Sequence, residues 1–177
     1  MKNKKTISLA RIAVIAAMYT ALTYAQNFIL PGTTSAAVQF RVSESLNVLA
    51  LLIPEAIPGL TIGCVLSNLY NIGSGLPLDM IFGSIATLGA TICIYLLRNA
   101  KIKSYPLAAM LMPAIWNGVI VGWEIETFFI DGKFHFGDFL VQGGLVALCE
   151  FGVMLVLGTA LYYTITKRGL DKRLFSY

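Results

Sequence analysis

The sequence is poor in charged residues, in histidine and in paired cysteines, and each shortage excludes a class of protein. Only 12% of its 177 residues are charged, about half the fraction usual in a soluble domain. His135 is the single histidine, and no spacing of His, Cys, Asp or Glu resembles a metal site. The three cysteines lie inside apolar runs and are read as small core residues, not as a disulfide framework. With no P-loop and no serine–histidine pair, we predict no enzymatic activity, no metal and no cofactor.

Long uncharged stretches take the place of the missing charges. Charged residues are absent from 12–30, 56–78, 80–97 and 104–123. A bilayer core about 30 Å thick needs about 20 apolar helical residues to cross it. Two weaker runs follow Arg41 and flank Glu150. We therefore predict an all-α integral membrane protein, a compact bundle of six transmembrane helices forming a single domain over 1–177. The predicted spans are about 9–30, 40–53, 55–72, 79–98, 105–128 and 138–166.

The positions of lysine and arginine test this count. If both termini are cytoplasmic, the inner segments hold eleven of the positive residues and the outer segments hold two, Arg41 and Lys133. That asymmetry is what the positive-inside rule expects in a plasma-membrane protein. We therefore interpret the net charge of +4 as a consequence of the orientation of the chain in the membrane. We predict no nucleic-acid partner. The Lys-rich start, with TYAQ at 23–26, also resembles a signal peptide, but its removal would leave five spans.

Small residues at one-turn spacing indicate where helices approach closely. The glycine pairs are Gly59 with Gly63 and Gly118 with Gly122, and the alanine stripe is Ala13, Ala17 and Ala21. In lipid, such residues allow close backbone contact. We interpret the glycines as packing points inside the bundle. The alanines fit either internal packing or the docking of a membrane partner.

Polar side chains within the spans form the candidate site, because ionisable groups in a bilayer usually face a cavity or a partner. Asn47 lies three residues after Glu44, and Asn117 lies seven before Glu124, so each pair shares a helix face. Glu126 is expected to face the lipid headgroups instead. The candidate substrate-binding residues are Arg41, Glu44, Asn47, Asn68, Asp79, Trp116, Asn117, Glu124, Gln142 and Glu150.

These polar groups cluster toward the outer half, beneath three polar outer segments at 31–40, 71–79 and 130–138 that we predict to form a lid. Carboxylates accept from ring N–H and amino groups, amides serve as donor and acceptor, and tryptophan stacks on flat rings. The set suits a flat, nitrogen-rich small molecule. Few charged groups continue through the inner half, which argues against an ion path.

Four runs of sequence resemble the QueT family, the substrate-binding membrane subunits of energy-coupling factor (ECF) transporters proposed to import queuosine precursors. The runs are QFRVSESL at 39–46, PEAIPGLTIGCVLSN at 54–68, DMIFGSIATLGA at 79–90 and NGVIVGWE at 117–124. The resemblance covers about residues 7–166 and is densest at 39–92. It departs at Cys149, where glycine is expected before Glu150.

The resemblance implies a six-helix fold with a substrate bound near the extracellular face and no ATPase of its own. A transmembrane coupling subunit and two cytoplasmic ATPases would complete the transporter, and Ala13, Ala17 and Ala21 match the motif that docks the coupling subunit. The substrate would be a 7-deazaguanine: the aminomethyl form, the cyano form or queuine. Arg41 would neutralise a neighbouring acid, tie down the loop before it, or contact a lipid headgroup.

Three other functions stay open on the sequence. The chain is compatible with a substrate subunit for another vitamin or nucleobase-like micronutrient. A membrane enzyme using Glu and Asn for acid–base chemistry is a second alternative, and a stand-alone carrier is a third.

Overall fold

Helices make up about four fifths of the described chain. A computed structural model describes residues 2–34, 40–72, 78–103, 105–130 and 132–169, and these ranges contain no β-strand beyond one isolated bridge. The α-helices are α1 (Lys2–Ile29), α2 (Ala56–Ile72), α3 (Leu78–Leu96), α4 (Leu107–Met110), α5 (Met112–Phe128), α6 (Phe136–Val153) and α7 (Thr159–Lys167). A 3-10 helix covers Val42–Leu51, and a π-helical turn covers Met154–Gly158.

Four helical stretches are long and apolar enough to cross a membrane. They are Lys4–Ile29, Leu78–Leu96, Leu107–Phe128 and Phe136–Lys167, and they fall on the first, fourth, fifth and sixth predicted spans. The second and third predicted spans are also helical and apolar, but shorter, at Val42–Leu51 and Ala56–Leu69. The all-helical class is therefore confirmed. The count of six spans and the cytoplasmic placement of both termini stay predictions.

The 3-10 helix lies at the centre of the fold. Every residue from Ser43 to Leu51 is buried, and the segment contacts α1, α2, α3, α6 and α7. A 3-10 helix has three residues per turn, so side chains three apart lie directly above one another. The sequence places Arg41, Glu44 and Asn47 at that spacing. The local geometry therefore aligns the carboxylate of Glu44 with the amide of Asn47 along one edge, while Arg41 precedes the helix in an extended conformation.

Glycines mark the closest helix contacts, as predicted for all four of the paired glycines. A Cβ added at Gly63 of α2 would lie 2.7 Å from Tyr19 Cβ of α1, and one added at Gly122 of α5 would lie 2.4 Å from Gly143 Cα of α6. The other two, Gly59 and Gly118, would place a Cβ within 3.0 Å of Ile15 and 2.9 Å of Ala147. Such contacts bring helix backbones together where a larger residue would separate them.

The predicted outer segments are only partly covered by the structure. Residues 35–39 and 73–77, which make up about half of each of the first two segments, lie outside the described residues, as do 170–177 with Lys172 and Arg173. The third segment links α5 to α6, and its Phe134, His135 and Phe136 are exposed. A lid over the bundle therefore stays a prediction.

Candidate functional site

A buried ion pair joins Arg41 to Asp79 at the start of α3. Arg41 Nη2 lies 3.0 Å from Asp79 Oδ2, and both side chains are almost fully enclosed. Arg41 Nε donates to the carbonyl of Thr34 (2.6 Å), and Asn68 Nδ2 donates to the carbonyl of Asp79 (3.0 Å). A Cβ added at Gly83, one turn after Asp79, would lie 3.3 Å from Asn68 Nδ2. The bond from Nε matters, because a buried pair is stable only when its remaining polar atoms are also bonded. The bond from Asn68 attaches α2 to the start of α3.

A second network surrounds Glu44 on the 3-10 helix. Tyr19 of α1 donates its hydroxyl to Glu44 Oε1, and Asn47 Nδ2 donates to Glu44 Oε2 (2.5 Å). Both carboxylate oxygens of Glu44 therefore already accept a hydrogen bond from the protein. Sequence reasoning missed Tyr19. Its signal was its place on the buried face of α1, four residues after Ile15 and four before Thr23, whose hydroxyl donates to Ser43 (2.8 Å).

Glu124 and Glu150 are as deeply buried as Glu44 but are not bonded in the same way. Each is only 1% exposed. Within the described residues, both carboxylate oxygens of Glu124 and Oε2 of Glu150 are enclosed without a hydrogen-bond partner. Glu124 interacts electrostatically with Asp79 and Arg41, and Glu150 with Glu44 and Arg41. Arg41 is therefore within electrostatic range of all four predicted acids, and Asp79 forms an ion pair with it.

The remaining predicted site residues surround this group less closely. Asn117 is buried, but its Nδ2 donates to the Pro113 carbonyl within its own helix (3.1 Å). Gln142 is half-buried, and its Oε1 is enclosed without a partner among the described residues. Trp116 is half-buried with its ring against α3, where a Cβ at Gly89 would lie 2.5 Å from Trp116 Cε3. One side of that ring is therefore already occupied by protein.

The expectation that Glu126 faces outward is wrong. Glu126 is 3% exposed, and its Oε1 accepts from the backbone N–H of His135 (2.8 Å). It anchors the start of α6 to the end of α5, because the connecting segment folds back over the helix. Its neighbour Glu124 points into the protein, as expected.

The alanine stripe lies on the outside of α1. Ala13, Ala17 and Ala21 are all exposed. Since α1 buries its other side against α2 and the 3-10 helix, this face is not used for packing inside the described protein.

A groove of about 480 Å³ lies between α1, the 3-10 helix and α7, and none of the buried acids is among the residues that line it. Its lining includes Ile7, Val14, Leu161 and Ile165, and Arg11 is the one charged residue among those that line it. So apolar a surface offers almost nothing to orient a polar ligand. The buried acid group is the better candidate site. No three His, Cys, Asp or Glu side chains in the described part of the chain are grouped so that they could hold a metal ion.

Comparison with known proteins decides the family. The family model described as QueT transporter matches residues 9–167. The chain is a member of the QueT transporter family. A relative from Lactococcus lactis subsp. cremoris (strain MG1363), the "Queuosine precursor transporter QueT", is 30% identical over 167 residues, which cover 88% of this chain and 90% of the relative. No solved structure gives a significant match.

Membership of the QueT family confirms the resemblance seen in the sequence. Together with the long apolar helices, it makes the chain a multi-pass membrane protein of a transporter family, not of an enzyme family. Binding roles for the ten candidate residues stay predictions. What the structure adds is their arrangement: two internally bonded networks and two acids with open acceptor atoms.

Proposed function

We propose that this protein is the substrate-binding subunit of an ECF-type importer in the plasma membrane. It would capture a 7-deazaguanine precursor of queuosine at the extracellular side, with both of its own termini in the cytoplasm. Family membership and the name of the Lactococcus relative support the substrate class. The observation that carries the proposal is the pair of enclosed, unpartnered oxygens on Glu124.

A buried carboxylate without donors is costly, because it gives up water without gaining hydrogen bonds in return. A bound ligand with adjacent N–H groups removes that cost. The edge of a deazaguanine presents a ring N–H beside an exocyclic amino group, and one carboxylate can accept both. Glu124 has both oxygens available for this, whereas the oxygens of Glu44 are taken by Tyr19 and Asn47.

The internally bonded groups would give this acceptor a fixed position. The Arg41–Asp79 pair joins the 3-10 helix to α3, and Asn68 attaches α2 to the same point. Trp123 of α5 lies edge-on to Phe82 of α3, with ring centroids 5.5 Å apart. Aromatic groups near the acid would stack on the flat face of a base.

The exposed alanines of α1 support docking to a coupling subunit. Small residues four apart let a partner helix approach the backbone of α1 closely within the membrane. Two cytoplasmic ATPases attached to that coupling subunit would supply the energy, since this chain has no P-loop.

Calorimetry on the purified protein in lipid nanodiscs tests the binding step. We expect a 7-deazaguanine to bind and to be recovered unchanged, and thiamin, biotin and riboflavin not to compete. Glu124→Gln should weaken binding by about 1–3 kcal/mol through the loss of charge-assisted bonds. The matched control is Glu126→Gln, an equally buried acid two residues along, whose bond to His135 a glutamine oxygen can still accept.

The proposal fails if no 7-deazaguanine binds, or if the ligand is chemically converted. Equal losses in the two variants would show that Glu124 is not the ligand's acceptor.

A further inference from the structure

The buried charges of the site do not balance. Its carboxylates belong to Glu44, Asp79, Glu124 and Glu150. Among the described residues that are buried, Arg41 is the one cation. If all four acids are ionised, the enclosed group has an excess of three negative charges. Charges of one sign cannot stay together in a low-dielectric interior without a counter-charge, a proton or a bound ligand.

The excess is not spread evenly over the four acids. Asp79 has its counter-charge in Arg41, at 3.0 Å. Glu44 has a donor on each oxygen, from Tyr19 and Asn47. Among the described residues, Glu124 has no donor on either oxygen and Glu150 has none on Oε2, so the missing positive charge and the missing donors belong at these two side chains.

A further enclosed atom of this group has the same character. Asn47, whose Nδ2 donates to Glu44, has its Oδ1 without a partner among the described residues, and that atom is an acceptor. Asn27 Nδ2 is a donor without a partner in the described part of the chain, but it belongs to the end of α1, where Asn27 Oδ1 accepts from Thr34. The open positions near the acids therefore call for a ligand that donates hydrogen bonds and does not accept them.

We infer that the site selects a base bearing a protonated amine, with Glu150 pairing with that cation and Glu124 receiving the N–H edge of the ring. The inference rests on the proposed function and narrows its ligand. Glu124 suits the edge because both of its oxygens are open, whereas Glu150 has one enclosed open oxygen and lies within electrostatic range of Glu44, whose negative charge further favours a cation.

The substituent at position 7 of a deazaguanine separates the alternatives. An aminomethyl group is a cation with three N–H donors, and queuine likewise carries a protonated amine. A cyano group has no donor and offers only an acceptor nitrogen. At Glu150 it would therefore place one hydrogen-bond acceptor against another. A site built to hydrogen-bond a group discriminates strongly against an analogue that lacks it, because the site's own polar atoms are left unpaired.

The test compares these ligands on one unaltered protein. Titration calorimetry at neutral pH in nanodiscs measures the aminomethyl form, the cyano form and the parent 7-deazaguanine with hydrogen at position 7. We expect the aminomethyl form to bind at least about 100-fold more tightly than the cyano form, with the parent compound between them. Equal affinity for the aminomethyl and cyano forms, or tighter binding of the cyano form, overturns the inference and leaves the proposed function intact. If none of the three binds and queuine does not bind either, the proposed function itself fails.

Two variants test the division of roles. Glu150→Gln should lower affinity for the aminomethyl form at least about tenfold more than for the cyano form, so the ratio between them shrinks. Glu124→Gln should lower affinity for both ligands by a similar factor, since both share the ring edge. Binding of the cyano form by Glu150→Gln shows that the variant is folded. The assignment of Glu150 is wrong if its variant lowers both affinities equally while Glu124→Gln changes the ratio.

Discussion

Removing Arg41 should destabilise the protein far more than removing its ion-pair partner. Arg41→Met takes away the guanidinium at the centre of the acid group and also the donor to the Thr34 carbonyl. Asp79 then has no counter-charge at 3.0 Å, and the other three acids lose the same neighbour. Asp79→Asn, in contrast, leaves the guanidinium in place among the remaining acids, and the amide oxygen can still accept from it.

The expected sizes follow from these contacts. Breaking a buried pair so that one charge remains costs about 3–5 kcal/mol. That range should apply to Arg41→Met, whereas Asp79→Asn replaces a charged acceptor by a neutral one and should cost about 1–2 kcal/mol. For a chain of this length, 1 kcal/mol corresponds to roughly 2–4 °C in Tm. Arg41→Met should therefore lower Tm by roughly 6–20 °C, and Asp79→Asn by a few degrees.

Thermal unfolding of the ligand-free protein in detergent, followed by intrinsic fluorescence, measures both variants. The variant that carries both substitutions should have a higher Tm than Arg41→Met and lie nearer to the Tm of Asp79→Asn. The reason is that it no longer contains a buried Asp79 carboxylate without a counter-charge. A Tm for Asp79→Asn at or below that of Arg41→Met would refute the reasoning. So would an Arg41→Met variant as stable as the unaltered protein.

Two further predictions use matched pairs of small residues. Gly122→Ala should destabilise the protein by about 1–3 kcal/mol, because the new Cβ would meet the backbone of Gly143, which cannot move aside. Gly144→Ala is the control, since a Cβ added there has no atom within 4 Å, and it should be neutral or stabilising. A lower Tm for Gly144→Ala than for Gly122→Ala would contradict this. Ala17→Leu should spare ligand binding but abolish uptake in cells that express the complete transporter, whereas Ala160→Leu, an exposed alanine on α7, should leave uptake unchanged. Normal uptake by Ala17→Leu would exclude the stripe as the docking face.

The sequence predicted the long helices well, because an uncharged run of about 20 residues has few stable alternatives in a bilayer. It also placed the glycine contacts, since small residues four apart have a definite meaning in membrane helices. It could not tell that Val42–Leu51 is a 3-10 helix, because Glu44 and Asn47 share a face in either helix type. That choice depends on the elements packed around the segment.

The sequence predicted which residues belong to the candidate site but not which of them bond to one another. The pairing of Arg41 with Asp79 spans 38 positions and needs the three-dimensional packing of α3 against the 3-10 helix. Tyr19 escaped notice because a tyrosine in an apolar helix looks like a core residue until its hydroxyl is placed. Glu126 was misassigned because helix periodicity separates it from Glu124 by about 200° but says nothing about a loop folding back over it.

The ten residues of the 3-10 helix extend about 20 Å at a rise of about 2.0 Å per residue, whereas the same ten as α-helix would extend about 15 Å. A change of this segment from 3-10 helix to α-helix would therefore shorten it by about 5 Å and rotate Asn47 by roughly 60° about the helix axis relative to Glu44. In this segment the length along the helix axis and the alignment of the side chains therefore change together. A change in the length of this segment would therefore also change the geometry of the hydrogen bond between Asn47 and Glu44.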